Sequence, residues 1–230
     1  MFGPLRMSDA GKNTAKDIRM ADLYTDYGYS DESECHVMPL LLPVVQSLMP
    51  QRPPQGRALD VGCGNGSLCG VLLRDGWDVV GIDLSQSGID IARKTHPTAR
   101  FEMLGADDQL LRHLNEQPFD VVISTEVVEH LYAPRAFIKG CFSALKPGGR
   151  FICTTPYHGY LKNLCISLAG TWDSHANPLW DGGHIKLWSR NTLGTLLAEA
   201  GFKNIRFRGI GRAPFLWKSM ALSGEKPSGG

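Results

Sequence analysis

The chain has 230 residues, 43% of them hydrophobic and 20% charged, with a formal net charge of +1. That length suits one α/β domain with an insertion and enough apolar material to bury a core. A balance so near neutral gives no footing for the basic face that nucleic-acid binding usually needs, and no run of about 18 apolar residues offers a membrane span.

Residues 1–20 are polar and contain glycine, the pattern of a disordered tail, and they lack an apolar core followed by a small-residue cleavage site. The expectation is a soluble, cytoplasmic protein. The six cysteines (Cys35, Cys63, Cys69, Cys141, Cys153, Cys165) form no CxxC pair, so free buried thiols are expected rather than disulfides or zinc. Residues 21–54 read as a cap segment. Tyr24, Tyr27 and Tyr29 precede an apolar stretch of helical spacing whose regularity Pro39 and Pro43 limit. Packing over the sheet edge is its expected role, with covering of a ligand pocket as the alternative.

The stretch from Arg57 to Ser85 is the organising element. It reads as an apolar strand (57–61), a glycine turn (Gly62, Gly64, Gly66), a helix (67–75) and a second apolar strand (77–82) ending on Asp83. Glycines let the backbone turn sharply and approach a ligand closely, and the helix N-terminus behind them offers free N–H groups. An acidic residue about 20 positions on, at the tip of the second strand, is placed to accept hydrogen bonds from ribose hydroxyls.

A helix (87–95) and a strand (100–104) follow, then GADD, in which Asp107 or Asp108 can serve a ligand or cap the helix that runs to Leu114. FDVVIST (119–125) is a continuous apolar run, as expected of a strand buried on both faces, and it leads into EVVEH. A helix (134–145), a KPGG turn and the strand RFICTTP come next. The connection 156–189, rich in aromatics and histidines, has the length of a lid or binding loop. The helix NTLGTLLAEA, the strand KNIRFRGI and a final strand near 214–220 close the domain, and residues 223–230 read as a second disordered tail.

The run Asp60-x-Gly62-x-Gly64-x-Gly66 has Ser67 where a dinucleotide fingerprint carries its third glycine. It resembles motif I of the class I S-adenosylmethionine-dependent methyltransferases, and KPGG before a strand is frequent in the same family. The resemblance implies a Rossmann-like seven-stranded, mostly parallel sheet with helices on both faces, a domain over 55–222 and a lid insertion after the fifth strand. It also implies S-adenosyl-L-methionine as cofactor, held by Asp60, Gly62, Cys63, Gly64, Gly66, Asp83, Leu84, Ala106, Asp107 and Thr125.

Methyl transfer is an in-line displacement that must also dispose of a proton when the acceptor is a hydroxyl. Glu126, Glu129 and His130, spaced i, i+3 and i+4, share one face if their segment makes a helical turn. Two carboxylates and an imidazole meeting there suit a hard ion such as Mg²⁺. ExxEH with a later GGHIKLWSR resembles the ubiquinone-biosynthesis O-methyltransferases and the small-RNA 3′-terminal 2′-O-methyltransferases. In the latter group two Glu and two His hold a divalent ion, which implies Glu126, Glu129, His130 and His184 here. Acid/base or positioning roles without metal, and plain structural contacts, stay open for the same residues. His158, directly after the fifth strand, is a second candidate base.

The expected function is S-adenosylmethionine-dependent O-methylation of a small hydroxylated or aromatic acceptor, with oligomeric state left open. N-methylation of a heterocycle, RNA 2′-O-methylation and a non-catalytic cofactor-binding domain are the alternatives. A nicotinamide dehydrogenase is disfavoured by Ser67.

Overall fold

The computed structural model describes residues 26, 28–31, 36–180 and 182–229. The N-terminal tail reading, Tyr24, Tyr27 and Cys35 fall outside the described residues. In chain order the elements are α1 (Met38–Leu48), β1 (Arg57–Val61), α2 (Ser67–Arg74), β2 (Asp78–Asp83), α3 (Gln86–Thr95), β3 (Arg100–Met103) and α4 (Leu110–Leu114). They continue with β4 (Phe119–Thr125), α5 (Pro134–Ala144), β5 (Leu145–Pro156), α6 (Tyr160–Leu168), α7 (Arg190–Glu199), β6 (Lys203–Ile210) and β7 (Ser219–Glu225).

The strands form one seven-stranded sheet in the order β3-β2-β1-β4-β5-β7-β6. β1 to β5 run parallel, and β7 is antiparallel to both of its neighbours. The central strands are apolar without alternation because helices cover both faces; Leu59, Val122, Phe151 and Ile152 are fully buried. Two clusters of core side chains result. One is centred on α4, α5 and α7, and the other on α1, α2 and α3.

Charged side chains tie the amino ends of the strands together. The Arg57 guanidinium meets Asp78 at 2.9 Å and Glu116 at 2.7 Å, the Arg57 N–H donates to Asp120 at 2.8 Å, and Lys146 meets Asp120 at 2.8 Å. The carboxyl ends are left for loops. β1 and β4 are neighbours from which the strand order runs outward in both directions, so the loops leaving them flank a crevice of the kind in which open α/β sheets bind ligands.

Two expectations are corrected. The last strand is Ser219–Glu225 rather than 214–220, so Ser223, Gly224 and Glu225 belong to the sheet and not to a tail. Smallness buries this strand: Gly224 lies against Phe202, whose Cβ a side chain at 224 would approach to 2.9 Å. KPGG is part of β5 and forms an irregularity in its pairing with β4, with Gly148 at φ 78° donating to the Lys226 carbonyl. Helix α1 runs through Pro43.

Candidate functional site

The glycine turn follows β1 and is pinned to β2, with the Gly62 and Cys63 N–H groups both donating to the Ile82 carbonyl. Gly62, Gly64 and Gly66 all have positive φ, and Gly66 is the N-cap of α2. A Cβ at Gly64 would run into the Tyr29 phenol. Tyr29 therefore lies over the turn and not over the sheet edge. It is held by its N–H to Ser87 Oγ at 3.0 Å, beside Asp26, which accepts from Ser85 Oγ, Ser87 Oγ and the Ser87 N–H.

Asp60 and Asp83 flank this turn as the sequence implied. Asp60 is 1% exposed, its Oδ2 accepts from the Cys69 thiol at 3.3 Å, and its Oδ1 is buried with no partner. Burial pushes its carboxyl up to about 7, with the Asp83 charge adding to the rise. A buried acceptor without a donor at a glycine turn fits the ammonium of an amino-acid ligand. Asp83 braces the turn, accepting from the Gly64 N–H and the Ser85 N–H, both at 2.8 Å, and burial raises its carboxyl. Thr125 ends β4 in register with Thr154. Leu84 and Ala106 are half-buried on loops leaving β2 and β3, and Gly105 packs against Leu84. Asp107 spends Oδ1 on the Gln109 N–H at 2.8 Å, at the entry to α4, with His113 Nδ1 3.5 Å away.

The EVVEH segment leaves β4 differently from the expected helical turn. Only Val128–His130 makes a turn, of 3₁₀ type, and Glu126 sits before it with φ 54°. A left-handed residue here breaks the expected helical register, although the Glu126 carboxylate still bears electrostatically on Glu129. Its N–H donates to Thr154, its Oε2 accepts from Ser219 Oγ at 3.3 Å, and its Oε1 is buried without a partner. Glu129 is 1% exposed; Oε2 accepts from Thr155 Oγ1 at 2.9 Å and Oε1 has no partner. Burial raises both carboxyls, and the charge of Glu126 raises Glu129 further.

His184 reaches this place because the loop that carries it is stitched to the turn. The Ile185 and Lys186 N–H groups both donate to the Glu129 carbonyl at 3.0 Å, and Trp188 Nε1 donates to the Val128 carbonyl. One ligand atom each from Glu129, His130 and His184 lie within 4.8 Å of one another. Glu126, the fourth residue implied by resemblance, is outside that set. His130 Nδ1 donates to the Gly182 carbonyl at 2.7 Å, which leaves Nε2 free to accept or ligate, 3.9 Å from Glu129 Oε1. Burial, and the neighbouring His130, lower His184 to about 4, so it is neutral at pH 7. Trp180 packs against both imidazoles, edge to face with His130 and tilted against His184.

His158, next after β5, is 6% exposed and its Nδ1 lies 3.1 Å from Asn163 Oδ1, which can only accept, so the remaining proton-accepting atom is Nε2. Burial lowers its pKa. Sequence reasoning missed Lys162, which is buried in the first turn of α6 and interacts electrostatically with Glu126, His158 and His184. In the sequence it is an unremarkable lysine in an amphipathic segment; only the folded insertion buries it.

With this geometry in hand, the comparisons are specific. Residues 36–206 match the family described as "Methyltransferase domain". A protein of Maricaulis maris named "Ubiquinone biosynthesis O-methyltransferase" is 38% identical over 156 residues, 66% of this chain and 61% of that one. One of the same name from Cereibacter sphaeroides is 34% identical over 177 residues, 74% of this chain and 70% of its own length. This chain thus spans under two thirds of the first relative. Among solved structures, an O-methyltransferase family protein from Burkholderia thailandensis superposes with TM-score 0.62 at 21% identity, over 84% of this chain and 58% of that one. A SAM dependent methyltransferase from Archaeoglobus fulgidus gives 0.59 at 17%, over 83% and 93%. At such identities these two speak for the fold.

Proposed function

The chain belongs to the methyltransferase-domain family, and from that premise we propose that it moves the methyl group of S-adenosyl-L-methionine onto an oxygen of a small hydroxylated acceptor. The observation that carries the reading is the set Glu129, His130 and His184, gathered at the carboxyl end of β4 beside a glycine turn that holds an unpartnered Asp60 oxygen. The names of the relatives, both O-methyltransferases, point the same way.

In this reading Asp60 receives the ammonium of the cofactor, the glycine turn its amino-acid part, and Asp83 its ribose hydroxyls. The acceptor oxygen attacks the methyl carbon as the carbon–sulfur bond breaks, leaving S-adenosylhomocysteine, and the hydroxyl proton passes to a base at the mouth. His158, neutral and with Nδ1 fixed on Asn163, has the right free atom for it. His130 is oriented in the same manner by the Gly182 carbonyl.

The Glu129, His130 and His184 set also fits a divalent cation: two imidazoles, and a buried carboxylate oxygen that lacks a partner. Such an ion, when bound, supplies acidification of the acceptor hydroxyl. With Glu126 outside the set, the donors are richer in nitrogen than the four residues implied by resemblance, so Mn²⁺ or Zn²⁺ suits them better than Mg²⁺. Among the described residues no helix is long and apolar enough to cross a membrane, and a cytoplasmic site of action goes with a soluble acceptor.

The test is transfer of labelled methyl from S-adenosylmethionine to a panel of catechols and aromatic amines, alongside calorimetric titration with S-adenosylhomocysteine. Label on oxygen supports the reading. Label on nitrogen alone, or no binding of S-adenosylhomocysteine, overturns it.

A further inference from the structure

Asp26, Gly28, Ser30 and Asp31 are exposed, and Tyr29, half-buried, is the one among the described residues 26–31 that gives up surface. It does so on the glycine turn. A Cβ at Gly64 would meet the phenol hydroxyl first and the ring carbons behind it, whereas a Cβ at Gly88 in α3 would come within 3.0 Å of Tyr29 Cδ2. The ring therefore runs from α3 towards the turn after β1, and its hydroxyl is the end that reaches the turn.

Side chains from two loops hold it there. Ser87 Oγ accepts the Tyr29 N–H at 3.0 Å and donates to Asp26 Oδ1 at 2.7 Å, and Ser85 Oγ donates to the same oxygen at 2.5 Å. From the glycine turn itself, Asn65 Nδ2 donates to the Asp31 carbonyl at 3.1 Å. Ser85 in turn donates its N–H to Asp83. The segment is thus tied to both loops that carry the residues read above as cofactor ligands. Hydrogen bonds from Ser85, Gly28 and Ser87 keep the Asp26 carboxyl well below the ordinary carboxylate range. It is an anion at the N-terminus of α3, where the helix dipole favours one.

Capping of α3 accounts for Asp26 and leaves Tyr29 unexplained. Ser85 is already the N-cap, accepting the Gly88 N–H at 3.1 Å, and neither that bond nor those to Asp26 requires an aromatic side chain laid across a neighbouring turn. A phenol offers one donor and acceptor lone pairs. Here that polar end lies against Gly64, the residue whose N–H Asp83 holds.

We propose that Tyr29 is a cofactor-binding residue: its ring walls the glycine turn on the α3 side, its hydroxyl hydrogen-bonds S-adenosyl-L-methionine or the product S-adenosylhomocysteine, and Asp26 is the positioning residue that holds it in place. The proposal rests on the reading of this turn as the cofactor site.

Calorimetric titration of the full chain with S-adenosylhomocysteine tests it. Tyr29→Phe should weaken binding about 3- to 10-fold, the range of one neutral hydrogen bond, with the melting temperature of the free chain unchanged. Asp26→Ala should weaken binding too, and that loss should vanish when Tyr29 is already alanine, because Asp26 acts through Tyr29. A role confined to capping α3 would give the same loss in both backgrounds. Amide exchange at Tyr29 should slow in the complex, since a contact that tightens the ligand is tightened by it in return. Wild-type affinity in Tyr29→Phe, an Asp26→Ala loss that survives in Tyr29→Ala, or an unchanged exchange rate at Tyr29 overturns the proposal. Absence of any binding by the wild-type chain takes down the cofactor reading and the proposal with it, whereas wild-type binding that Tyr29→Phe leaves intact sinks the proposal alone.

Discussion

The imidazoles of His130 and His184 meet edge to face with ring centroids 5.0 Å apart, although one follows β4 and the other lies near the end of the insertion after β5. The contact is made by backbone. Glu129, whose carboxylate faces the same place, lends its carbonyl to the Ile185 and Lys186 N–H groups. The two halves of the site are thus joined through the main chain of one residue, and the carboxylate of that residue completes the set.

If those three side chains hold a divalent ion, Glu129→Gln, His130→Ala and His184→Ala should each lower metal affinity by at least about 10- to 100-fold. Elemental analysis of the purified chain, and titration with Mn²⁺ and Zn²⁺, read this directly. Methyl transfer should fall in parallel while binding of S-adenosylhomocysteine persists. Full activity after exhaustive chelation would leave the three residues with acid/base and positioning roles only.

The parts legible in the sequence were those in which local pattern and tertiary role agree. β4 is buried on both faces and reads as an unbroken apolar run, and the turn after β1 needs positive φ at three places and has glycine at each. β7 was hidden because its burial depends on Ser223 and Gly224 being small beside Phe202, which no hydrophobic pattern reports. Glu126 falls outside the set formed by Glu129, His130 and His184 because i, i+3, i+4 spacing presumes helical backbone, while a left-handed residue at 126 breaks the register before the turn begins. Lys162 looked like a surface lysine, since its burial is decided by Lys218 and the rest of β7's approach, far along the chain.

Asp60 should make stability depend on pH. Burial raises its folded pKa to about 7, above the 3.8 of the unfolded chain, so between those values the folded state binds the extra proton. Its contribution is present below pH 3.8 and is lost as pH rises to about 7. Asp60→Asn removes the titration. The melting temperature of the variant should therefore gain on the wild type as pH goes from 4 to 7, and stay level above that. The same substitution should weaken S-adenosylhomocysteine binding, on the reading that the carboxylate receives the ammonium. A difference between the two melting curves that does not vary with pH would show that Asp60 is ionised when folded.

Glu126 carries a side chain in a conformation that favours glycine, φ 54°. Glu126→Ala and Glu126→Gly remove the same unpartnered oxygen, so the difference between them isolates the backbone. The glycine variant should be the more stable of the two by about 1 kcal/mol, measured by denaturant unfolding. Equal stability would mean that the loop relaxes out of the left-handed region once the carboxylate is gone, and that the Ser219 contact, not the Thr154 contacts of the main chain, had held it there.

Asp83 has two duties that substitution can separate. Both of its oxygens already accept backbone N–H groups, Oδ2 from Gly64 and Oδ1 from Ser85, so the side chain is a brace of the glycine turn before any ligand arrives. Asp83→Asn keeps one acceptor and presents an NH₂ group where the other was. If the amide oxygen stays on Ser85, the Gly64 N–H loses its partner, at a cost of about 1–3 kcal/mol for a buried donor left unsatisfied. The apo chain should melt lower, and hydrogen exchange at Gly64 should quicken. On the reading that the ribose hydroxyls donate to this carboxylate, S-adenosylhomocysteine binding should weaken by more than the stability loss accounts for. Calorimetry against adenosine and against methionine then divides the effect: a ribose contact predicts a loss for adenosine, whereas a loss confined to methionine would assign Asp83 to the turn alone.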